Sequence, residues 1–121
     1  MDLKSFLKEN NGFPENRRIS VSPCFVENGE EIFWEIRAVS EEEYRRAVEG
    51  KKDKWAVLCL LSVVKPDLKD QGLWESYGAD SGEQALKEML YPGEYVKLLE
   101  EVKDINGFQK RRKAWKEQAK N

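Results

Sequence analysis

The period of the apolar residues changes near Ser40. Between Arg18 and Val39, apolar side chains occupy every second position, as in strands that bury one face. After Ser40 they recur at intervals of three and four, as in amphipathic helices. The alternating positions are Ile19, Val21, Ile32, Trp34, Ile36 and Ala38. This order predicts an α+β fold, in which an N-terminal antiparallel β-hairpin forms a small sheet packed with a mainly helical C-terminal two-thirds.

The two alternating segments are joined by residues typical of a tight turn. Asn28-Gly29 reaches positive φ readily, so we expect two antiparallel neighbouring strands joined by this turn. Pro23 suits a bulge or an exposed edge. Closer to the N-terminus, Leu3, Phe6 and Leu7 have helical spacing and predict one brief helix.

The helical part begins with a cap signal. Ser40 precedes the first helix, and Glu43 lies three residues later, as in a capping box. The apolar run from Lys54 to Val64 is compatible with a buried helix or a buried strand. Its length and the following Pro66 favour a helix.

Three more helices are predicted after Pro66. One surrounds Trp74, and the next begins after the cap residue Ser81. The longest runs from Pro92 to the helix stop at Asn106-Gly107. The apolar positions of this longest helix are Tyr95, Leu98, Leu99, Val102 and Ile105.

Length and charge limit the domain organisation. A chain of 121 residues fits one domain, which we expect over residues 1–107, followed by a basic tail over 108–121 that is helical or frayed. The 21 basic residues nearly balance the 23 acidic ones, so nucleic acid is not an expected partner. The apolar runs are too short to span a membrane and the first residues lack a secretory signal, which predicts a cytoplasmic protein.

The sequence contains no recognisable catalytic centre. It has no histidine, which excludes Ser–His and Cys–His nucleophile pairs and the commonest transition-metal ligand. Cys24 and Cys59 are far apart, without the spacing of a disulfide framework or a zinc site. Asp67 and Asp70 fit a turn better than a calcium loop. We therefore predict no enzyme, no cofactor and no metal site.

The tryptophans fall into two groups. Trp34, Trp55 and Trp74 lie within periodic apolar patterns and are predicted to pack in the core. Trp115 lies in the tail after Phe108, among six basic residues and one acidic residue. Two interpretations of the tail stay open. It is a solvated helix end, which the charge pattern favours, or a segment that binds RNA, DNA or an acidic helix.

Several short segments extend in a fixed order over most of the chain. They are Val21-Ser22-Pro23, Asn28-Gly29, Trp34-Glu35-Ile36-Arg37-Ala38, Val63-Val64-Lys65-Pro66-Asp67, Tyr77-Gly78-Ala79, Met89-Leu90-Tyr91-Pro92-Gly93-Glu94-Tyr95 and Ile105-Asn106-Gly107-Phe108. In this order and spacing the sequence resembles the XkdN-like family of phage tail assembly chaperones, found in phages and prophages of Gram-positive bacteria. The resemblance also favours a helix from Lys54 to Val64.

The resemblance implies a non-enzymatic protein of the bacterial host cytoplasm. Such a protein binds the helical tape measure protein, keeps it soluble, helps to recruit tail tube subunits and leaves before the virion is complete. We expect a groove between the helices around 55–64 and 95–105, assisted by the tail. The candidate protein-binding residues are Tyr95, Leu98, Leu99, Lys110, Arg111, Arg112, Lys113, Trp115 and Lys116.

The tail departs from the family pattern, because a more acidic or mixed ending is expected there. Two alternatives to the chaperone therefore stay open: a permanent structural protein of the phage tail, and a nucleic-acid-binding regulator that uses Lys110 to Lys116. The ending Ala119-Lys120-Asn121 is also compatible with ribosomal frameshifting to a longer product, which only the nucleotide sequence reveals.

Overall fold

A computed structural model describes residues 3–108 of the chain. Two short 3-10 helices, Leu3–Phe6 and Lys8–Asn10, replace the single predicted N-terminal helix. The strands in this part of the chain are β1 (Arg17–Ile19), β2 (Val26–Glu27), β3 (Glu30–Glu31), β4 (Trp34–Ile36) and β5 (Val63–Lys65). The α-helices are α1 (Glu41–Val48), α2 (Lys54–Ser62), α3 (Gln71–Ser76), α4 (Gly82–Met89) and α5 (Pro92–Ile105). The predicted α+β class is confirmed.

The main sheet has the strand order β1-β4-β5, and each pair is antiparallel. Ile19 lies opposite Trp34, and Arg17 lies opposite Ile36. Ile19, Trp34 and Ile36 are all buried, as their alternating pattern predicts. The two alternating segments are therefore antiparallel neighbours, as expected.

The Asn28-Gly29 turn does not join β1 to β4 directly. It closes the separate hairpin β2–β3, which lies between them in the chain, and both turn residues have positive φ. A turn at Pro23 and Cys24 ends the first extended segment, because proline cannot donate a ladder hydrogen bond. The turn at Asn28-Gly29 was predicted correctly, but the prediction that it joins the two strands of the main sheet was wrong.

The apolar run after Asp53 divides into a helix and a strand. α2 ends at Ser62, and Val63–Lys65 pairs with β4 as the third strand of the main sheet. Two β-branched valines favour extended backbone, and Pro66 disfavours helical backbone at Lys65 before it. The predicted helix from Lys54 to Val64 is therefore correct for α2 and wrong for its last two residues.

Helices α1 to α4 begin at side-chain caps. Ser40 accepts a hydrogen bond from the backbone N–H of Glu43, at 3.1 Å. The carboxylate of Glu43 does not complete the expected capping box, because it accepts two hydrogen bonds from Arg37 instead. The caps of α2, α3 and α4 are Asp53, Asp70 and Ser81, each of which accepts from a backbone N–H three residues later.

The core lies between the inner face of the main sheet and the helices. Its largest fully buried side chains include Trp34, Leu58, Leu86 and Leu98. The first turn of α4 lies close to the loop that precedes α3. A Cβ atom added to Gly82 would lie 2.5 Å from the carbonyl oxygen of Leu68 in this loop. Glycine is needed at this close approach.

The C-terminus of α5 is fixed by several hydrogen bonds. Phe108 N–H donates to the carbonyl of Lys103, and Gly107 N–H donates to that of Asp104, which together form a Schellman motif. Gly107 has a φ of +83°, as this motif requires. The predicted stop of the longest helix is therefore confirmed. The division between a domain at 1–107 and a tail at 108–121 stays a prediction, since only Phe108 of the tail is described.

Candidate protein-binding surface

The side of α5 next to its buried side carries three apolar residues that are only partly covered. Tyr95 and Leu99 are half-buried against the core, and Val96 has 55% of its surface exposed. Their spacing of three and four residues places them on one side of the helix. We call the α5 face the surface formed by these three residues together with Trp55, which contacts Lys103 one turn beyond Leu99.

Trp55 extends this surface onto the first turn of α2. It is 37% exposed, so the prediction that it packs in the core was wrong. The ammonium group of Lys103 lies 4.3 Å from the centroid of the Trp55 ring, at cation–π distance. The Phe108 ring lies at 4.9 Å in an edge-on arrangement, and Tyr44 lies beyond it. These contacts fix Trp55 in position while leaving part of its surface exposed.

Two ionisable groups at the α5 face, the Tyr95 hydroxyl and the Cys59 thiol, have raised pKa values. Burial raises the pKa of the Tyr95 hydroxyl to about 12 and the pKa of the Cys59 thiol to about 12. A buried thiol with such a pKa is protonated at neutral pH and is a poor nucleophile. The Tyr95 hydroxyl and the Cys59 thiol are therefore uncharged at neutral pH.

Three charged side chains lie near Tyr95, at the edge of the α5 face. The ammonium group of Lys87 is 2.9 Å from a carboxylate oxygen of Asp53 and 3.3 Å from one of Glu83. The hydrogen bond from Lys87 lowers the pKa of Asp53, and the bond to Asp53 raises the pKa of Lys87. A polar rim around an apolar centre is typical of protein-binding surfaces.

The residues that the structure describes offer little to a metal or cofactor. No group of three or more His, Cys, Asp or Glu side chains among residues 3–108 is arranged to hold a metal ion. In the same range, no buried side-chain nitrogen or oxygen atom lacks a hydrogen-bond partner. Among these residues, no helix has both the length and the apolar character needed to cross a membrane.

The sequence pattern of the phage XkdN-like tail assembly chaperone proteins matches residues 3–120. The chain belongs to this family. Its fold is also similar to the crystal structure of the protein YqbN, with a TM-score of 0.78 and 23% identity over 89% of this chain and 98% of that one. A search of the curated proteins found no match. Membership places the chain among phage tail assembly chaperones, which are generally non-enzymatic.

The structure separates the candidate binding residues of this chaperone. Tyr95 and Leu99 lie on the α5 face, whereas Leu98 is 0% exposed and packs in the core. α2 and α5 are in direct contact along their packed sides. A binding groove at the surface between them stays a prediction. The remaining candidates lie outside the described residues: Lys110, Arg111, Arg112, Lys113, Trp115 and Lys116.

Two exposed apolar regions were missed by sequence reasoning. Val96 interrupts the regular helical pattern, so it was not counted with the apolar positions of α5. Near the N-terminus, four apolar side chains are each at least 40% exposed: Leu3, Phe6, Leu7 and Phe13. The spacing of Leu3, Phe6 and Leu7 predicted a brief helix, but spacing does not show whether a core is close enough to cover its apolar side.

Proposed function

We propose that this chaperone binds the tape measure protein of its phage, keeps it soluble until the tail tube forms around it, and helps to recruit tail tube subunits. The binding takes place in the cytoplasm of the bacterial host and involves no catalysis. The observation that carries this proposal is the family match over residues 3–120. A long helical protein with exposed apolar patches aggregates unless a partner covers them.

The α5 face is the surface that we propose for the tape measure protein. Its apolar side chains lie along one side of a helix, and an amphipathic helix recognises a partner through residues at similar spacing. Trp55 and Tyr95 supply aromatic area, which is enriched at the centres of protein interfaces. Both are already held by neighbours, so binding orders few additional side chains.

The exposed part of this surface also suits a reversible complex. Tyr95 and Leu99 are half-buried, so only a fraction of each side chain is available to a partner. An interface of small apolar area is typical of transient complexes. A chaperone that leaves before the tail is complete needs such an interface.

The test is co-expression with the tape measure protein of the same phage, followed by measurement of its soluble fraction and its co-purification. We expect the wild-type chain to keep the tape measure protein soluble. Val96→Asp places a charge in the centre of the α5 face and is expected to reduce co-purification at least tenfold. The matched control is Val26→Asp, since Val26 is 56% exposed and Val96 is 55% exposed.

The two variants separate loss of the surface from loss of the fold. Because both positions are exposed, the free energy of unfolding of each variant should differ from that of the wild type by at most about 0.5 kcal/mol. If Val26→Asp abolished co-purification while Val96→Asp retained it, the proposed surface would be wrong. If the wild-type chain neither bound nor solubilised the tape measure protein, the proposed function itself would be wrong.

Recruitment of the tail tube is tested separately. Purified tube subunits should co-purify with the complex of chaperone and tape measure protein. The chaperone should also be absent from purified tails, because it leaves during assembly. Its presence there at a fixed stoichiometry would indicate a structural subunit instead. The contribution of the basic residues after Phe108 stays a prediction, since they lie outside the described residues.

A further inference from the structure

Three Asn-Gly pairs occur in the chain, and their surroundings differ. They are Asn11-Gly12, Asn28-Gly29 and Asn106-Gly107. In such a pair the glycine nitrogen can attack the side-chain amide of the asparagine, because glycine has no Cβ atom to obstruct the approach. The three pairs have the same intrinsic chemistry, so the fold decides which of them reacts first.

Both reacting groups of the last pair are held by hydrogen bonds. The side-chain oxygen of Asn106 accepts from the Val39 N–H at 2.8 Å. Its side-chain nitrogen donates to the Ser62 hydroxyl at 2.9 Å and to a carbonyl of α5 at 2.8 Å. The attacking nitrogen, that of Gly107, donates its proton to the carbonyl of Asp104 at 3.0 Å. Attack at Asn106 therefore requires the C-terminus of α5 to open.

The reacting groups of Asn28-Gly29 lie in the exposed turn between β2 and β3. Their φ angles are +53° and +80°, in a region that asparagine and glycine tolerate. Within residues 3–108, neither the Asn28 side chain nor the Gly29 N–H forms a hydrogen bond. β2 and β3 contain two residues each and form a sheet of their own, and so short a hairpin opens at little cost. Nothing in the described fold therefore holds this pair against reaction.

The first pair has intermediate surroundings. The side-chain nitrogen of Asn11 donates to the carbonyls of Ser5 and Leu7, in the N-terminal 3-10 segment. Both bonds are exposed, and Asn11 is held by fewer bonds than Asn106. We therefore expect Asn11 to react more slowly than Asn28 and faster than Asn106.

We propose that Asn28 is a site of spontaneous deamidation in this protein. The Gly29 nitrogen forms a bond with Cγ of Asn28, and the bond from Cγ to the side-chain nitrogen breaks. That nitrogen leaves as ammonia with the proton of the Gly29 N–H, so a cyclic imide remains. Water then adds to either carbonyl carbon of the imide and opens the ring to aspartate or isoaspartate. Water is the only co-reactant, and no atom is oxidised or reduced.

The product changes the charge and the backbone of one surface. Asn28 lines a concavity of about 280 Å³ together with two cations, Arg18 and Lys65, and four carboxylates, Glu27, Glu30, Glu31 and Glu35. Deamidation adds a fifth carboxylate there. Isoaspartate also inserts one carbon atom into the backbone of a two-residue turn, on which the pairing of β2 with β3 depends. The modification thus acts on the β2–β3 hairpin and leaves the residues of the α5 face chemically unchanged.

The experiment incubates the folded full chain at mildly alkaline pH and follows each Asn-Gly pair by peptide mapping with mass spectrometry. We expect Asn28 to react first. Asn106 should react at least about 100-fold more slowly, because several hydrogen bonds must break and each slows the reaction by about fivefold. The control is the same incubation in guanidinium chloride, where the three pairs should react at similar rates. Asn28→Gln requires a larger ring for the same attack, so it should remove the fastest mass change of the folded chain.

Each outcome supports or overturns the proposal. Equal rates at Asn28 and Asn106 in the folded chain would overturn it, as would a faster reaction at Asn11. A difference that persisted unchanged in guanidinium chloride would assign it to the neighbouring sequence rather than to the fold. A folded chain that kept its Asn28 amide while the denatured chain lost all three would show that the turn protects this residue. The measurement needs no phage partner and is independent of tape measure binding.

Discussion

Two adjacent leucines on α5 have opposite surroundings. Leu98 is fully buried in the hydrophobic core, whereas Leu99 lies at the border between the core and the α5 face. The buried side of α5 holds the fold together, and the neighbouring side leaves apolar area exposed, where we propose that a partner binds. The apolar stripe of this helix is wider than the part that the core covers.

The largest expected effect is that of Leu98→Ala. Removing a fully buried leucine leaves a cavity, and the expected cost is about 2–5 kcal/mol in the free energy of unfolding. The matched variant is Leu99→Ala, which should cost less than half as much, because part of the Leu99 side chain is already in water. Urea denaturation measures both. Equal losses at the two positions would show that the two sides of α5 do not differ in the way described.

The sequence predicted where α5 begins and ends, but it did not predict which of its apolar residues are buried and which are partly exposed. Pro92, the intervals of three and four, and Asn106-Gly107 fixed the two ends of α5 from local signals alone. The same intervals include both Leu98 and Leu99, because periodicity defines a side of a helix and not the depth of its burial. Depth depends on which elements pack against that side, and only the three-dimensional structure reveals them.

The next largest effect on the free energy of unfolding is expected at Asn106, at the C-terminal end of the buried side of α5. The Asn106 side-chain oxygen accepts from the N–H of Val39 at 2.8 Å, and its amide donates to the hydroxyl of the buried Ser62 at 2.9 Å. Asn106→Ala leaves both groups without these partners, at an expected cost of about 1–3 kcal/mol. Asn16→Ala is the control, because Asn16 bonds Glu35 at the surface. If thermal denaturation gave similar losses for both variants, the buried side would not depend on Asn106.

A smaller effect is expected at Gly107, where α5 ends. An alanine at a φ of +83° is strained, so Gly107→Ala should lower the free energy of unfolding by about 1 kcal/mol. At the other end of the helix, Gly93→Ala should raise it by about 0.5 kcal/mol, because φ is ordinary there and nothing lies within 4 Å of the added Cβ. Chemical denaturation of the pair measures the difference. A stabilising Gly107→Ala would contradict the account of this terminus.

Tertiary pairing explains the main differences between the predicted and the observed fold. Val63 and Val64 continue the apolar run of α2 in sequence, but β4 offers them a strand partner that no local signal indicates. Trp55 follows the apolar pattern, yet it lies in the first turn of α2, where Lys103 and Phe108 cover only part of it. Both differences arise from contacts between residues that are far apart in the sequence.

The smallest expected effect is at the charged edge of the α5 face. The hydrogen bond from Lys87 lowers the pKa of Asp53 from its ordinary value of 3.8, so the carboxylate stabilises the fold above that pH and loses its contribution as the pH falls through the folded-state pKa. The pKa of Lys87 is raised from 10.5, so its contribution is complete below that pH and is lost as the pH rises through the folded-state pKa. The pair should therefore stabilise the fold most between these two values.

Asp53→Asn keeps an oxygen that can cap α2 but removes the charge. Because both side chains are more than a third exposed, solvent screening limits the expected loss to about 0.2–1 kcal/mol at pH 7. The difference from the wild type should shrink as the pH falls below 3.8. Urea denaturation from pH 2.5 to 7 measures it, with Lys87→Gln to complete a double-mutant cycle. A difference that stayed constant over this range would mean that the loss comes from the cap of α2, and that the charged edge adds nothing to the stability of this side of α5.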